Sequence, residues 1–259
     1  MTELDKTANQ STQVAFILIE AMAAIGEPVA LSELARKVGM PKPRVFRFLR
    51  TLLAMGYVLQ DEATGRYRLS LKLFHLGQAI ADQTMLLTEA RPLMVQLRNA
   101  TRQTTTLSVV EAEGMRIMDI VRADTPVQIV TRPGSVLDFH SSAQGRLALA
   151  YGPAERLDAA LSKPLTAWTP ATQTDPARLR GIVADVRKAG WADAPEQTLV
   201  GINALAAPIF DASNQMIATV TIAGPLNALT SPPDRALVDA VRRTGRTIST
   251  NLGCTEYPE

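Results

Sequence analysis

The sequence predicts an α+β protein in which a small helical N-terminal domain precedes a larger domain with a largely antiparallel sheet. Two observations support this class. Residues 11–55 carry apolar side chains at three- and four-residue spacing, interrupted by glycine and proline, which is typical of short packed helices. Beyond residue 88, short strand-like segments with glycine-bearing turns alternate with helical patterns, which is typical of an antiparallel sheet covered by helices.

Composition limits the classes of function. With 259 residues, 46% hydrophobic and 20% charged, the chain has material for two modest domains. Its first residues are polar and it has no apolar run long enough to cross a bilayer, so we expect a soluble, cytoplasmic protein. The single cysteine, Cys254, excludes an intrachain disulfide framework, and the two histidines leave few ligands for a soft metal site. We expect no metal and no cofactor.

Three helices come before the first strands. The first spans 11–25, and its packed side is expected to carry Val14, Ile17, Leu18, Ala21 and Met22. A short helix over 31–38 ends at Gly39, where a left-handed backbone costs little. The third helix begins within residues 40–43 and runs to about residue 55. Prolines suit its first turn because the N–H groups there have no intrahelical partner.

The outer face of the third helix is basic. Its apolar positions, such as Val45 and Leu49, face a core, and the other side carries Lys42, Arg44, Arg47 and Arg50. No acidic residue occurs between Lys42 and Gln60, so this face has no intrahelical ion pairs. A solvated surface face remains the alternative. The basic face and the short turn before it favour a DNA-reading helix.

A hairpin over 57–60 and 66–69 follows, with Gly65 in its loop. On the return strand Arg66 and Arg68 alternate with apolar residues, so two guanidinium groups face away from the helices. These two could be ordinary surface arginines. From residue 31 to 72, however, nine basic residues stand against three acidic ones, although the whole chain carries only +2. The order of elements is that of a winged helix-turn-helix, which binds double-stranded DNA.

A helix over 70–87 leaves the wing with an apolar stripe and is interpreted as a linker and dimer element. The remaining segments predict a second domain of mixed structure. We expect helices over 88–101, from about 141, and over 153–161, 175–189 and 233–252, and strands over 104–111, 116–122, 127–131, 205–210 and 216–223.

Five blocks of sequence together resemble one family over nearly the full chain. They are PKPRVFRFLRTLLAMGYV, GRYRLSLKLFHLG, RPGSVLDFHSSAQGRLALA, GINALAAPIFD and IATVTIAGP. In this order they resemble the IclR family of bacterial transcriptional regulators. The resemblance implies a winged helix-turn-helix over 1–70, a linker helix over 71–87 and a GAF-like effector-binding domain over 88–259. It also implies homodimers or homotetramers on palindromic operators.

The resemblance places the DNA-reading helix at Pro43–Met55. The candidate DNA contacts are Lys42, Arg44, Phe46, Arg47 and Arg50 on this helix, with Arg66 and Arg68 in the wing. Members of the family usually carry a Ser or Thr pair near the helix start, and this chain has Pro43-Arg44 there. A hydroxyl contact to phosphate is therefore lost, and Arg44 is expected to reach a phosphate or a guanine edge instead.

The family holds small carboxylates or aromatic acids in its second domain. Relatives that bind very small acids place polar groups at positions that correspond to Ala194, Ala204, Thr221 and Ala223. Three alanines leave a roomier, more apolar pocket, which favours an aromatic or other larger organic acid. We expect the N–H groups of Ser142, Ala143 and Gln144, at a helix N-terminus, to bind its carboxylate. Thr221, Asn203 and His140 are further candidates, and each has a purely structural alternative.

Two other classes of function stay open at this point. His140-Ser141-Ser142 could suggest an enzyme acting on a small acid, but neither serine lies in a nucleophile elbow, so we expect no catalytic residue. A constitutive DNA-binding regulator, whose second domain only oligomerises, would carry the same helix-turn-helix. The two regulator types differ in whether the second domain binds a ligand.

Overall fold

The computed structural model describes residues 10–82, 85–124 and 132–258, and for 78–82 it describes the backbone alone. The chain divides into two compact units, Met1–Gln83 and Thr84–Glu259. The strand predicted over 127–131 lies outside the described residues. So do residues 83 and 84 of the predicted linker helix.

The first unit is a helical core with a two-stranded ribbon. Its elements are α1 (Gln10–Ile25), α2 (Leu31–Lys37), α3 (Lys42–Ala54), β1 (Val58–Gln60), β2 (Tyr67–Leu69) and α4 (Leu71–Asp82). Val14, Leu18 and Met22 of α1 are buried against α2 and α3, as the pattern predicts. The expectation for Ile17 was wrong, since it is 41% exposed. Ile17 lies at the edge of a stripe that repeats every four residues, and it adjoins the exposed Phe16.

A tight turn sets α3 against α2. The left-handed Gly39 (φ +65°) follows α2, the N–H of Gly39 donates to the carbonyl of Arg36 (3.3 Å) and that of Met40 donates to the carbonyl of Ala35 (3.0 Å). These two bonds satisfy carbonyls that a helix end leaves unpaired. Pro41 caps α3 and Pro43 lies in its first turn, as predicted. The basic helix is thus joined to α2 by a few residues with a defined backbone.

The ribbon is antiparallel, with Val58 opposite Leu69 and Gln60 opposite Tyr67. The backbone of Tyr67 exchanges two 2.8 Å hydrogen bonds with that of Val29, which ties the wing to the segment between α1 and α2. Tyr67 is buried and Arg68 is exposed, so the two faces of the return strand alternate as predicted. In the loop, the carboxylate of Asp61 accepts from the backbone N–H of Thr64 (2.7 Å).

The second unit is an α+β domain, which confirms the predicted fold class. Its helices are α5 (Met85–Thr101), α6 (Ala143–Tyr151), α7 (Ala154–Leu161), α8 (Pro176–Ala189) and α9 (Arg235–Asn251). Its strands are β3 (Thr104–Val110), β4 (Met115–Val121), β5 (Val136–Leu137), β6 (Ala192–Asp193), β7 (Ile202–Phe210) and β8 (Met216–Pro225). Within the described residues, the strand order is β5-β4-β3-β8-β7-β6, and neighbouring strands are antiparallel.

The boundary between α4 and α5 and two short strands differ from the prediction, and β7 and β8 are longer than expected. Residues 85–87, expected at the end of the linker helix, instead begin α5, because Leu86 packs into the core of the second unit. The two-residue strands β5 and β6 were not predicted. Segments this short carry no periodicity, and only their pairing with β4 and β7 makes them strands.

The two faces of the sheet pack against different helices. Leu205, Val220 and Ile222 belong to the core that α5 and α9 cover. Ala206 lies on the other face, in a cluster with residues of α6 and α8. Because side chains alternate along a strand, Thr221, which stands opposite Ala206, faces α6 as well. The predicted ligand-binding positions on β8 therefore lie beneath α6.

Candidate functional site

The outer face of α3 is basic and exposed. Lys42, Arg47 and Arg50 are exposed, Arg44 is half-buried, and none of these four forms an ion pair with a described residue. The Arg47 guanidinium lies 5.6 Å from the centre of the Phe48 ring. Phe46 is 44% exposed on the same side of the helix. A helix that presents guanidinium groups and one apolar ring can hydrogen-bond guanine edges and contact thymine methyl groups.

The wing arginines have different surroundings. Arg66 donates from Nη1 to the carbonyl of Pro28 (2.8 Å), so its side chain helps to hold the wing in place. Arg68, two residues further along the ribbon, is exposed. Because Arg66 also holds the wing in place, Arg68 is the better candidate for a DNA phosphate contact that can be removed without displacing the wing.

In the second unit, the N-terminus of α6 has a serine cap and two unpaired N–H groups. Ser142 is the N-cap, and its Oγ accepts from the N–H of Gly145 (3.0 Å) and donates to the carbonyl of Asp138 (2.7 Å). The N–H groups of Ala143 and Gln144 have no acceptor among the described residues. Unpaired N–H groups and the helix dipole together favour negative charge at this point.

Gly145 allows α6 to begin close to the preceding segment. A Cβ at this position would lie 2.5 Å from the Cα and the carbonyl oxygen of Phe139, and 2.6 Å from the carbonyl oxygen of Asp138. All three are backbone atoms, which cannot give way as a flexible side chain does. The glycine therefore fixes where the first turn of α6 lies.

A buried guanidinium adjoins this helix end. Arg146 is 5% exposed and donates to the carbonyls of His140 (3.3 Å) and Asp193 (2.8 Å) and to Oε1 of Gln197 (2.8 Å). Burial lowers the pKa of Arg146, and the charge of Asp193 partly opposes this effect. No carboxylate of a described residue lies within ion-pair distance of Arg146. A buried cation bonded to neutral oxygens raises the affinity of the region for an anion.

The three alanines of the sequence prediction are brought together. Ala204 stands opposite Ala223 in the sheet, and the N–H of Ala194 donates to the carbonyl of Ala204 (3.0 Å). Thr221 lies two residues from Ala223 on the same face, and its hydroxyl is buried with no partner among described residues. Small side chains and one free hydroxyl thus line the sheet beside the start of α6.

Two candidate ligand contacts are occupied by structural hydrogen bonds. Asn203 is fully buried, with its Oδ1 accepting from the N–H of Ala204 (2.8 Å) and its Nδ2 donating to the carbonyls of Leu229 and Thr230. Nε2 of His140 contacts the carbonyl of Thr166 (3.0 Å). Both side chains therefore hold loops in place, which supports the structural alternative for each. Nε2 of His140 and Nδ2 of Asn203 bond to backbone carbonyls that are distant in sequence, so the local sequence did not reveal these hydrogen bonds.

Two polar residues near the helix start were not proposed from the sequence as ligand contacts. Arg146 is a charged residue within an otherwise small and apolar helix, QGRLALA, and that contrast was the available signal. The hydroxyl of Ser141 and Oε1 of Gln144 are buried and have no partner among the described residues. For Gln144, the sequence predicted a ligand contact from the backbone N–H and none from the side chain.

The two units match two profiles of one family. Residues 11–62 match the IclR helix-turn-helix domain, and residues 78–250 match the bacterial transcriptional regulator IclR C-terminal domain. No helix in the described part of the chain is long and apolar enough to cross a membrane.

Similar proteins agree with these matches. A glycerol operon regulatory protein of Streptomyces coelicolor is 30% identical over 96% of this chain and 98% of its own. The HTH-type transcriptional repressor AllR of Escherichia coli is 27% identical over 96% of this chain and 92% of its own. An IclR homologue of Microbacterium hydrocarbonoxydans, solved with 4-hydroxybenzoate, superposes with a TM-score of 0.84 at 25% identity, over 94% of this chain and 99% of its own. The chain therefore belongs to the IclR family, whose members are transcriptional regulators and not enzymes.

Proposed function

We propose that the protein is a ligand-responsive regulator that binds operator DNA through α3 and the wing and senses a small organic acid at the N-terminus of α6. In this way it controls catabolic or transport genes. The observation that carries the sensing function is the buried guanidinium of Arg146 beside two unpaired helix N–H groups, with no carboxylate of a described residue within ion-pair distance. Together they form a positively polarised site in the second unit.

A carboxylate is the ligand group that fits this site. It would accept from the N–H groups of Ala143 and Gln144 and would offset the charge of Arg146. The adjoining alanines leave apolar surface for the body of the acid, which favours an aromatic or similarly large acid over a two-carbon one. The 4-hydroxybenzoate bound by the Microbacterium homologue agrees with this proposal.

Ligand sensing is tested by thermal unfolding of the full chain with a panel of acids. We expect benzoate-sized carboxylates to raise the Tm, and the rise should grow with the logarithm of the acid concentration above Kd. At 100 times Kd, the acid should increase the free energy of unfolding by about 2.7 kcal/mol. The corresponding amides, which lack the negative charge, are the control and should not stabilise the protein. No shift with any acid would favour the constitutive regulator instead.

The assignment of DNA contacts is tested by two variants on an operator selected from random duplexes. Arg47→Ala should weaken operator binding by about 1–3 kcal/mol, because it removes a contact to a base edge. Arg68→Ala should weaken operator and scrambled DNA equally and lower the salt slope by about 1, because it removes a phosphate contact. Fluorescence anisotropy at several salt concentrations measures both effects. Unchanged operator affinity in both variants at fixed salt would contradict the assignment.

We also propose that the protein acts as a homodimer or homotetramer. Large apolar side chains that are exposed on the first unit, which favour association of copies, support this proposal, namely Phe16 of α1 and Leu71, Phe74 and Leu76 of α4. A two-fold arrangement would place two copies of α3 on the two half-sites of a palindromic operator.

A further inference from the structure

A row of hydroxyl groups lies on the face of the sheet that α6 covers. Ser108 of β3 stands opposite Thr219 of β8, and Thr106 stands opposite Thr221. Thr221 in turn stands opposite Ala206, which packs with α6. Since residues two apart on a strand face the same side, Ser108, Thr219 and Thr221 share this face.

Three of these hydroxyls, those of Ser108, Thr219 and Thr221, are buried and unpaired. Ser108 and Thr219 are completely buried and Thr221 is 1% exposed. Their side-chain oxygens have no hydrogen-bond partner among the described residues. A buried polar group without a partner is destabilising, and native proteins hold only a few of them. Three such groups on one face can pair with a ligand that carries hydrogen-bonding groups.

The row leads away from the anion-binding end of α6. Arg146 lies near that end and donates to the carbonyl of Asp193 in β6. Asp193 pairs with Leu205, and Leu205 stands opposite Ile222, which is next to Thr221. The other end of α6 carries Tyr151, whose ring is 5.3 Å from that of Phe210 at the far end of β7. Thr219 is nearer this far end than Thr221 is, by about 7 Å along the strand.

We propose that Ser108 and Thr219 bind a hydroxyl group at the end of the effector opposite its carboxylate, so that the effector is a hydroxylated organic acid. This inference rests on the proposed function of the same site. Serine and threonine can each donate and accept, as a neutral hydroxyl requires. A second carboxylate on the ligand would find no compensating charge on either residue.

The test compares acids that differ by one hydroxyl. Isothermal titration of the full chain is run with benzoate against 4-hydroxybenzoate, and with butyrate against 4-hydroxybutyrate. In at least one pair we expect the hydroxylated acid to bind about tenfold tighter or more, because the analogue leaves buried hydroxyls unpaired. In Ser108→Ala and Thr219→Val this preference should fall towards one, with the affinity for the unhydroxylated acid retained.

Thr105→Val is the matched control. Thr105 is a fully buried neighbour on β3, but it stands opposite Ile222 and faces the α5 and α9 side. This variant should keep the wild-type preference for the hydroxylated acid.

The outcomes separate the two proposals. Equal affinity for both members of each pair in the wild type would overturn this inference and leave acid sensing intact, and that measurement does not depend on any variant folding. An undiminished preference in both Ser108→Ala and Thr219→Val would also overturn it. If none of the four acids binds, the proposed sensing function fails, and this inference fails with it.

Discussion

Gly145→Ala is expected to abolish the response of the protein to acids and to destabilise the second unit. The added Cβ would meet backbone atoms of Phe139 and Asp138 at 2.5–2.6 Å. Either α6 or the segment before it must move, which breaks the bond from Ser142 to the Asp138 carbonyl and displaces the N–H groups proposed to bind the effector. Overpacking of this kind costs about 1–3 kcal/mol, and more where only backbone can yield.

Urea unfolding followed by tryptophan fluorescence measures this effect in the second unit, since Trp168 and Trp191 both lie there. The acid-induced rise in Tm is measured in parallel. Gly181→Ala is the control, because its Cβ would meet nothing within 4 Å in the interior of α8. It should stabilise the unit by up to about 1 kcal/mol through helix propensity. Wild-type stability and a full acid response in Gly145→Ala would refute the close approach.

Leu49→Ala should abolish operator binding through loss of structure in the first unit. Leu49 is completely buried on the inner side of α3 and packs in the core of the three-helix unit. Replacing a buried leucine by alanine costs about 2–5 kcal/mol. A unit of about 80 residues has little stability to lose, so α3 would no longer be held against α2.

Circular dichroism should show early loss of helix in this variant, whereas the tryptophan signal and the acid response of the second unit should persist. Met55→Ala is the control at the end of the same helix, because Met55 is 53% exposed. Its effect on stability should be below about 0.5 kcal/mol. Operator binding at wild-type affinity by Leu49→Ala would show that α3 does not depend on this core position.

The elements that the sequence predicts well are those whose pattern repeats over several turns. The stripe of Val45, Leu49 and Leu52 defines α3, and the left-handed glycine before it marks the turn from α2. The strand pair β7 and β8 was also predicted, although both strands are longer than expected. Prediction failed at the two-residue strands and at Ile17. Neither carries a periodic signal strong enough to outweigh its tertiary surroundings.

The candidate site was predictable in part. The sequence predicted a helix from about residue 141, and α6 begins at Ala143 with Ser142 as its cap. The use of Asn203 and His140 was not predictable, because their partners come from loops 26 residues away. The importance of Ser108 and Thr219 was also hidden, since they lie 111 residues apart in sequence and the antiparallel register alone makes them neighbours.

By itself the sequence determined the fold class, the helix-turn-helix with its basic outer face, and the family, because periodicity, charge and ordered motifs are local properties of a chain. Only the tertiary structure decided which polar groups are already bonded and which are buried without a partner. Hydrogen-bond saturation depends on contacts between distant segments. That distinction argues against Asn203 and His140 as ligand contacts, retains the α6 N-terminus that the sequence predicts, and adds Arg146 and the hydroxyl row.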